Sequence, residues 1–193
     1  MRRKHFWILF PLFLFGLAIT FNSMPAFGKG KTPPPAAKTS IPQVKLTAPS
    51  SPELQNYLGI EINSEFNLSQ IRTKLILIEI LNTFCPDCQK NAPQMNRVFN
   101  IVENDADLKS DIKLIGIAAG NDASHIEPFI KEFKIKFPVF PDPDNKIHEL
   151  LGGAGPPGVI LADIHGKVLF VHEGVLEDID FLLEQIREGH KQL

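Results

Sequence analysis

Leu75-Ile76-Leu77-Ile78-Glu79-Ile80-Leu81 runs through Asn82-Thr83-Phe84 into Cys85-Pro86-Asp87-Cys88. The first seven residues are apolar but for Glu79 and rich in Ile, the pattern of a short strand buried on both faces. Pro86 then opens a new element, and Ala92, Met95, Phe99 and Val102 follow at helical spacing. The chain's two cysteines therefore stand where a buried strand hands over to a helix. The helix start presents unpaired N–H groups and a partial positive charge, both of which favour thiolate over thiol. The thiolate is the attacking species in disulfide exchange. Pro suits the first helical position because its φ is fixed and its missing N–H has no helical partner there. Cys88, one turn on, is placed to attack a mixed disulfide formed at Cys85 and release the substrate. Cys85 is read as the nucleophile and Cys88 as the resolving thiol.

Other uses of the pair fit less well. Structural zinc wants four ligands, commonly two such pairs, and this chain has no third cysteine and only scattered histidines. No metal or other cofactor is expected. A structural bridge closing so short a loop would constrain little. A small exported domain held by disulfides would show four or more cysteines, so this domain must hold by its own core.

Outward from this junction, strand and helix signals alternate. Ile112 to Ala119 reads as a second buried strand. Ser124-His125-Ile126-Glu127 reads as a capping box opening a helix with Ile126, Phe129, Ile130 and Phe133 on one face. Phe137 to Phe140 reads as a short strand, Ile147 to Leu151 as a brief helix, and Val159–Ala162 and Val168–His172 as strands joined at His165-Gly166. Asp178 to Glu188 closes the chain as a helix. The pattern implies an α/β layered domain with a mixed sheet. The acids Asp142, Asp144, Glu149, Glu177 and Asp178 read as solvated loop and helix ends.

The N-terminus reads as an address. Arg2-Arg3-Lys4-His5 precedes an uncharged apolar run, Phe6 to Phe21, and Ala26-Phe27-Gly28 offers a small-residue cleavage site. Residues 1–28 are read as a signal peptide or N-terminal anchor, with residues 6–21 as the membrane tether in the second case. Residues 29–52 hold six prolines among Lys, Thr, Ser and Ala and read as a linker; residues 53–193 form the domain. The 193 residues are 44% hydrophobic, enough for one core, and carry a net charge of −2. That balance gives no electrostatic case for nucleic acid.

From about residue 48 to 190 the chain resembles the TlpA/ResA-like branch of the thioredoxin superfamily, among its redoxin and AhpC/TSA-like relatives. The resemblance runs through Ser64–Ile71, through Leu77 to Cys88, through Pro93, through Phe137-Pro138-Val139-Phe140-Pro141-Asp142, and through Gly155-Pro156-Pro157-Gly158 to Asp163. It implies a thioredoxin-like three-layer fold: a central mixed β-sheet flanked by helices, with the TlpA-type central insertion. It implies that Pro157 is a cis-proline facing the cysteines, and that Pro156, Pro157, Phe84 and Pro86 contact substrate. It implies protein thiols and disulfides as substrates, a periplasmic or other extracytoplasmic setting, and a DsbD/CcdA-like membrane electron donor.

The departures from the family pattern carry information. Pro156 has no N–H to offer a bound peptide. Gly158 replaces the usual Thr, Phe84 the usual Trp, and Asn91 stands where some reductive members carry a glutamate. Glu79 falls where thioredoxins place a buried acid; desolvation should raise its pKa and let it take the proton of Cys88. Asp87 beside Cys85 should oppose the thiolate and favour a reductant. Two alternatives stand beside this reading. Thr83-Phe84-Cys85-Pro86 faintly resembles a peroxiredoxin loop, which would make the chain an antioxidant peroxide reductase, although Thr83 is two rather than three residues before the Cys and no Arg lies between Arg97 and Arg187. The other is a non-enzymatic binding module on the same fold.

Overall fold

The computed structural model describes residues 40–61 and 64–193. The leader at 1–28, the tether at 6–21 and the first part of the linker lie outside the described residues. Among the described residues no helix is long and apolar enough to cross a membrane.

The elements run β1 (Lys45–Thr47), α1 (Pro52–Leu58), β2 (Glu65–Asn67), a 3-10 turn (Leu68–Gln70), β3 (Leu75–Leu81), α2 (Pro86–Asn104), β4 (Ile112–Ala119), α3 (Ala123–Phe133), β5 (Val139–Asp142), α4 (Lys146–Leu150), β6 (Gly158–Asp163), β7 (Val168–Glu173) and α5 (Ile179–Lys191). Five strands form one sheet in the order β5-β4-β3-β6-β7. β3 pairs with β4 in parallel and with β6 in antiparallel. The sheet is therefore mixed, as its closing hairpin implied, and β3 is its centre. Every residue of β3 is buried, which explains its lack of apolar–polar alternation.

Alternate residues of β3 feed two cores. Leu75, Leu77 and Leu81 face one side with Met95 and Val98 of α2 and Leu182 and Ile186 of α5. Ile76, Ile78 and Ile80 face the other with Leu58, Phe66 and Leu151. The result is the three-layer α/β arrangement expected from the sequence. α3 and β5 follow β4 in the place expected for the central insertion.

Three local readings need correction. The ordered fold begins before residue 53: β1 pairs with β2, and Ile41, Val44 and Leu46 are buried. Proline content suggested a linker, yet these three apolar side chains fill the second core, and the Ile41 N–H donates to the Gly166 carbonyl at 2.8 Å. The cap of α3 is Asp122, not Ser124; its carboxylate accepts the N–H groups of Ser124 and His125. Asp142 is not a solvated acid. It is 2% exposed and its two oxygens accept the N–H groups of Ile147 and His148 at 3.0 and 2.8 Å. It fixes the start of α4, a local cap that an acid between two prolines does not advertise.

Candidate active site

Cys85 is the N-cap of α2, with extended backbone at φ −79 and ψ 118. Its Sγ does the work usually done by a Ser or Asp oxygen: it accepts the N–H of Cys88 at 3.4 Å. Pro86 occupies the first helical turn, where its missing N–H leaves no gap. Both cysteines are free thiols, Cys85 partly exposed and Cys88 buried at 1% exposure. The Cys88 sulfur lies behind the loop and accepts the N–H of Asn82 at 3.4 Å.

The Cys88 thiol is pushed up to about 12. Burial is the main cause, the Asn82 N–H opposes it, and Cys85 and Glu79 add to it. A thiol so disposed does not attack unless its proton is taken away.

The Pro156–Pro157 peptide is cis. The Pro156 carbonyl oxygen lies 3.8 Å from the Cys85 sulfur, so this loop lies across the pair. The Pro157 carbonyl accepts the Gly174 N–H at 2.7 Å and is thereby tied to the end of β7. From the other side, the His148 ring nitrogen meets the Ala154 carbonyl at 2.7 Å. Asp142, α4 and His148 thus form a brace for the proline loop that motif reading missed.

Glu79 does not reach solvent at a strand edge. It is 1% exposed, in the middle of the central strand. Burial pushes its carboxyl up to about 8, against the Asn91 hydrogen bond, which favours the charged form. Asn91 Nδ2 donates to Glu79 Oε1 at 3.1 Å, and Asn91 Oδ1 accepts the Leu176 N–H at 2.9 Å. The sequence marked Asn91 only as a departure from the family pattern; the fold brings it onto Glu79.

Asp87 bears less on Cys85 than its position suggested. Its carboxylate pairs with Lys90 at 2.8 Å, one turn along the exposed face of α2. Phe84 is 67% exposed, its ring edge-on to His125 with centroids 5.1 Å apart. It borders an apolar groove of about 280 Å³ lined also by Thr83, Gln89, Pro128 and Phe133. The Thr83 N–H is held by the Asn121 side-chain oxygen at 2.8 Å. The guanidinium groups of Arg97 and Arg187 are engaged by Gln94 and Asp105, away from the thiols. His172, paired across β6 with Val159 beside Glu79, has its ring nitrogen 3.3 Å from the Val175 carbonyl.

Residues 36–183 match the Redoxin family model. Among curated proteins the chain is similar to the thiol-disulfide oxidoreductase ResA of Geobacillus thermodenitrificans, 26% identical over 125 residues, which is 64% of this chain and 69% of that one. Among solved structures it resembles a thiol:disulfide interchange protein of the thioredoxin family from Chlorobium tepidum (TM-score 0.58, 16% identity, 79% of this chain and 96% of that one). It also resembles a secreted Mycobacterium tuberculosis disulfide oxidoreductase homologous to DsbE (TM-score 0.54, 16% identity, 65% of this chain and 90% of that one). At these identities the structural matches speak for the thioredoxin-like fold. The family match spans most of the chain and includes the cysteine pair. The chain belongs to the Redoxin family, as a thiol–disulfide oxidoreductase of thioredoxin-like fold.

Proposed function

We propose that the chain reduces disulfides of exported proteins, cycling Cys85 and Cys88 between dithiol and disulfide. The observation that carries this reading is the asymmetry of the pair. One sulfur is reachable at a helix N-cap under the Pro156 carbonyl; the other is sealed behind it. Cys85 attacks a substrate disulfide and one substrate thiolate leaves. Glu79, when ionised, takes the proton of Cys88. The Cys88 sulfur then attacks Cys85, the mixed disulfide breaks, and the second substrate sulfur leaves with the electron pair. Phe84, Pro86 and Pro156 are exposed beside Cys85 and, with the buried Pro157 setting the loop beneath them, are its substrate contacts.

The reducing direction rests on Cys88 and Glu79 rather than on Asp87. A couple whose thiolates are poorly stabilised holds its disulfide tightly oxidised and is a strong reductant. The raised Cys88 thiol fits that description, whereas the Asp87 charge is countered by Lys90. Each turnover spends two electrons, so an extracytoplasmic reductant needs a membrane donor, of the DsbD/CcdA-like kind. Export follows from the basic, apolar and small-residue order of positions 1–28.

The test is the equilibrium potential of the Cys85–Cys88 couple, together with insulin-disulfide reduction set against peroxide consumption. A potential of about −250 mV or lower with insulin turnover supports the reading. A potential near about −120 mV overturns the direction. Peroxide consumption without insulin turnover overturns the activity.

A further inference from the structure

Asn91 is 0% exposed, on the face of α2 that carries Cys88 one turn earlier. Both ends of its amide are engaged. The Leu176 backbone N–H can only donate, so the amide must turn its oxygen towards it. The Nδ2 end is thereby committed to Glu79 Oε1. A donor facing Oε1 favours the carbonyl-type oxygen there and so biases the acid's proton towards Oε2. Oε2 is buried and has no hydrogen-bond partner among the described residues.

We propose that Asn91 is a positioning residue: its amide holds Oε1 of Glu79 as the accepting oxygen and so directs the acid's exchangeable proton to Oε2. The proposal rests on the reading of Glu79 as the base for Cys88. The amide stops the carboxyl from rotating, so the proton has one address in every turnover. In the resolving step Oε2 takes the proton from Cys88 Sγ. The new Cys85–Cys88 bond forms, and the bond from Cys85 to substrate breaks with its electron pair leaving on the substrate sulfur. When a donor reduces the pair again, the departing Cys88 thiolate recovers the proton from Oε2. The clamp on the amide comes from the loop between β7 and α5, so the fidelity of this step depends on a segment remote in sequence.

Few ionisable groups face Glu79. Cys88 and Cys85 lie on the α2 side. Gly116 of β4 and Val159 of β6 flank it in register. His172 of β7, paired with Val159, shares its face of the sheet and binds the Val175 carbonyl. The α5 residues nearest this layer, Ile179, Leu182 and Leu183, are apolar.

The test loads Cys85 of the full chain with thionitrobenzoate and follows release of the coloured thiolate by Cys88 as a function of pH. Wild type should show a midpoint that E79Q removes. N91A should keep a midpoint but move it alkaline by about one pH unit, slowing release at neutral pH about tenfold, because a hydrogen bond favouring the carboxylate is lost. A purely structural Asn91 would lower Tm and leave the midpoint in place, which overturns the proposal. Should N91A fail to fold, the wild-type protein supplies a second readout: the Asn91 side-chain amide resonances should titrate with the Glu79 carboxyl carbon, and invariance across that titration overturns the proposal. A midpoint that survives E79Q sinks the reading of Glu79 as base; one unmoved in N91A alone sinks only the positioning role.

Discussion

The Cys85 sulfur and the Pro156 carbonyl oxygen stand 3.8 Å apart, across the opening where a substrate peptide must lie. Pro156 presents that acceptor but no N–H. A bound strand therefore forms at most one of the two backbone hydrogen bonds such a loop could offer. Pro156→Ala restores the donor. KM for a peptide disulfide should fall about 2- to 10-fold, from one added hydrogen bond of ~0.5–1.5 kcal/mol, with kcat little changed. An unaltered KM in steady-state kinetics would mean that substrates do not pair with this loop.

The unequal burial of the two sulfurs predicts unequal phenotypes. Cys85→Ser should abolish disulfide reduction, since the remaining thiol is sealed. Cys88→Ser should still attack but stall, accumulating a mixed disulfide at Cys85 that intact-mass measurement detects. Equal trapping by both variants would contradict the assigned roles.

Glu79 should make stability depend on pH. Its carboxyl is ordinary in the unfolded chain and lies at about 8 in the folded one. Below the ordinary carboxylate range both states are protonated and burial of the acid costs little. As pH rises towards 8 the unfolded chain loses the proton and the folded chain keeps it, so stability falls; above the folded value it levels off. At neutral pH the cost is on the order of 3 kcal/mol. Glu79→Gln should flatten that slope and raise stability at neutral pH relative to acid. Denaturant unfolding at several pH values decides it, and parallel curves for the two proteins would exclude a proton held by Glu79.

Gly166 sits at φ +93, with the Ile41 carbonyl oxygen where a Cβ would stand. The same turn receives the Ile41 N–H. Gly166→Ala combines backbone strain with a clash against main chain and should cost about 1–3 kcal/mol. Thermal unfolding measures this. A shift of under a degree would show that residues 41–46 are not docked on the β6–β7 turn.

The central strand and the cysteine junction were legible because local signals carry them: an unbroken apolar run, then a proline one residue after a cysteine. The cis Pro156–Pro157 bond was accessible only through the resemblance, since nothing in two adjacent prolines declares which is cis. The docking of Ile41, Val44 and Leu46 was hidden by the prolines around them; spacings of three and then two residues make no strand or helix period. The Asp142–His148–Ala154 brace is local but irregular, two six-residue steps that follow no helical or strand period, whereas the Glu79–Asn91–Leu176 chain joins residues 12 and 85 positions apart. The partners of that second chain become neighbours only once the sheet and α2 have packed, so no spacing in the sequence encodes them.

Phe84 separates a substrate contact from a structural one. A large aromatic ring two-thirds exposed contributes little to the core, and it packs edge-on against His125. It stands next to Cys85, at the lip of the groove formed with α3. A substrate segment entering the site would bury it. Phe84→Ala should leave Tm within about two degrees, as surface substitutions do. KM for a folded protein disulfide should rise about 10-fold or more, with a smaller effect on a small-molecule disulfide such as dithiobisnitrobenzoate, which does not reach the groove. Equal losses on both substrates would place Phe84 in the chemistry of Cys85 itself rather than in recognition.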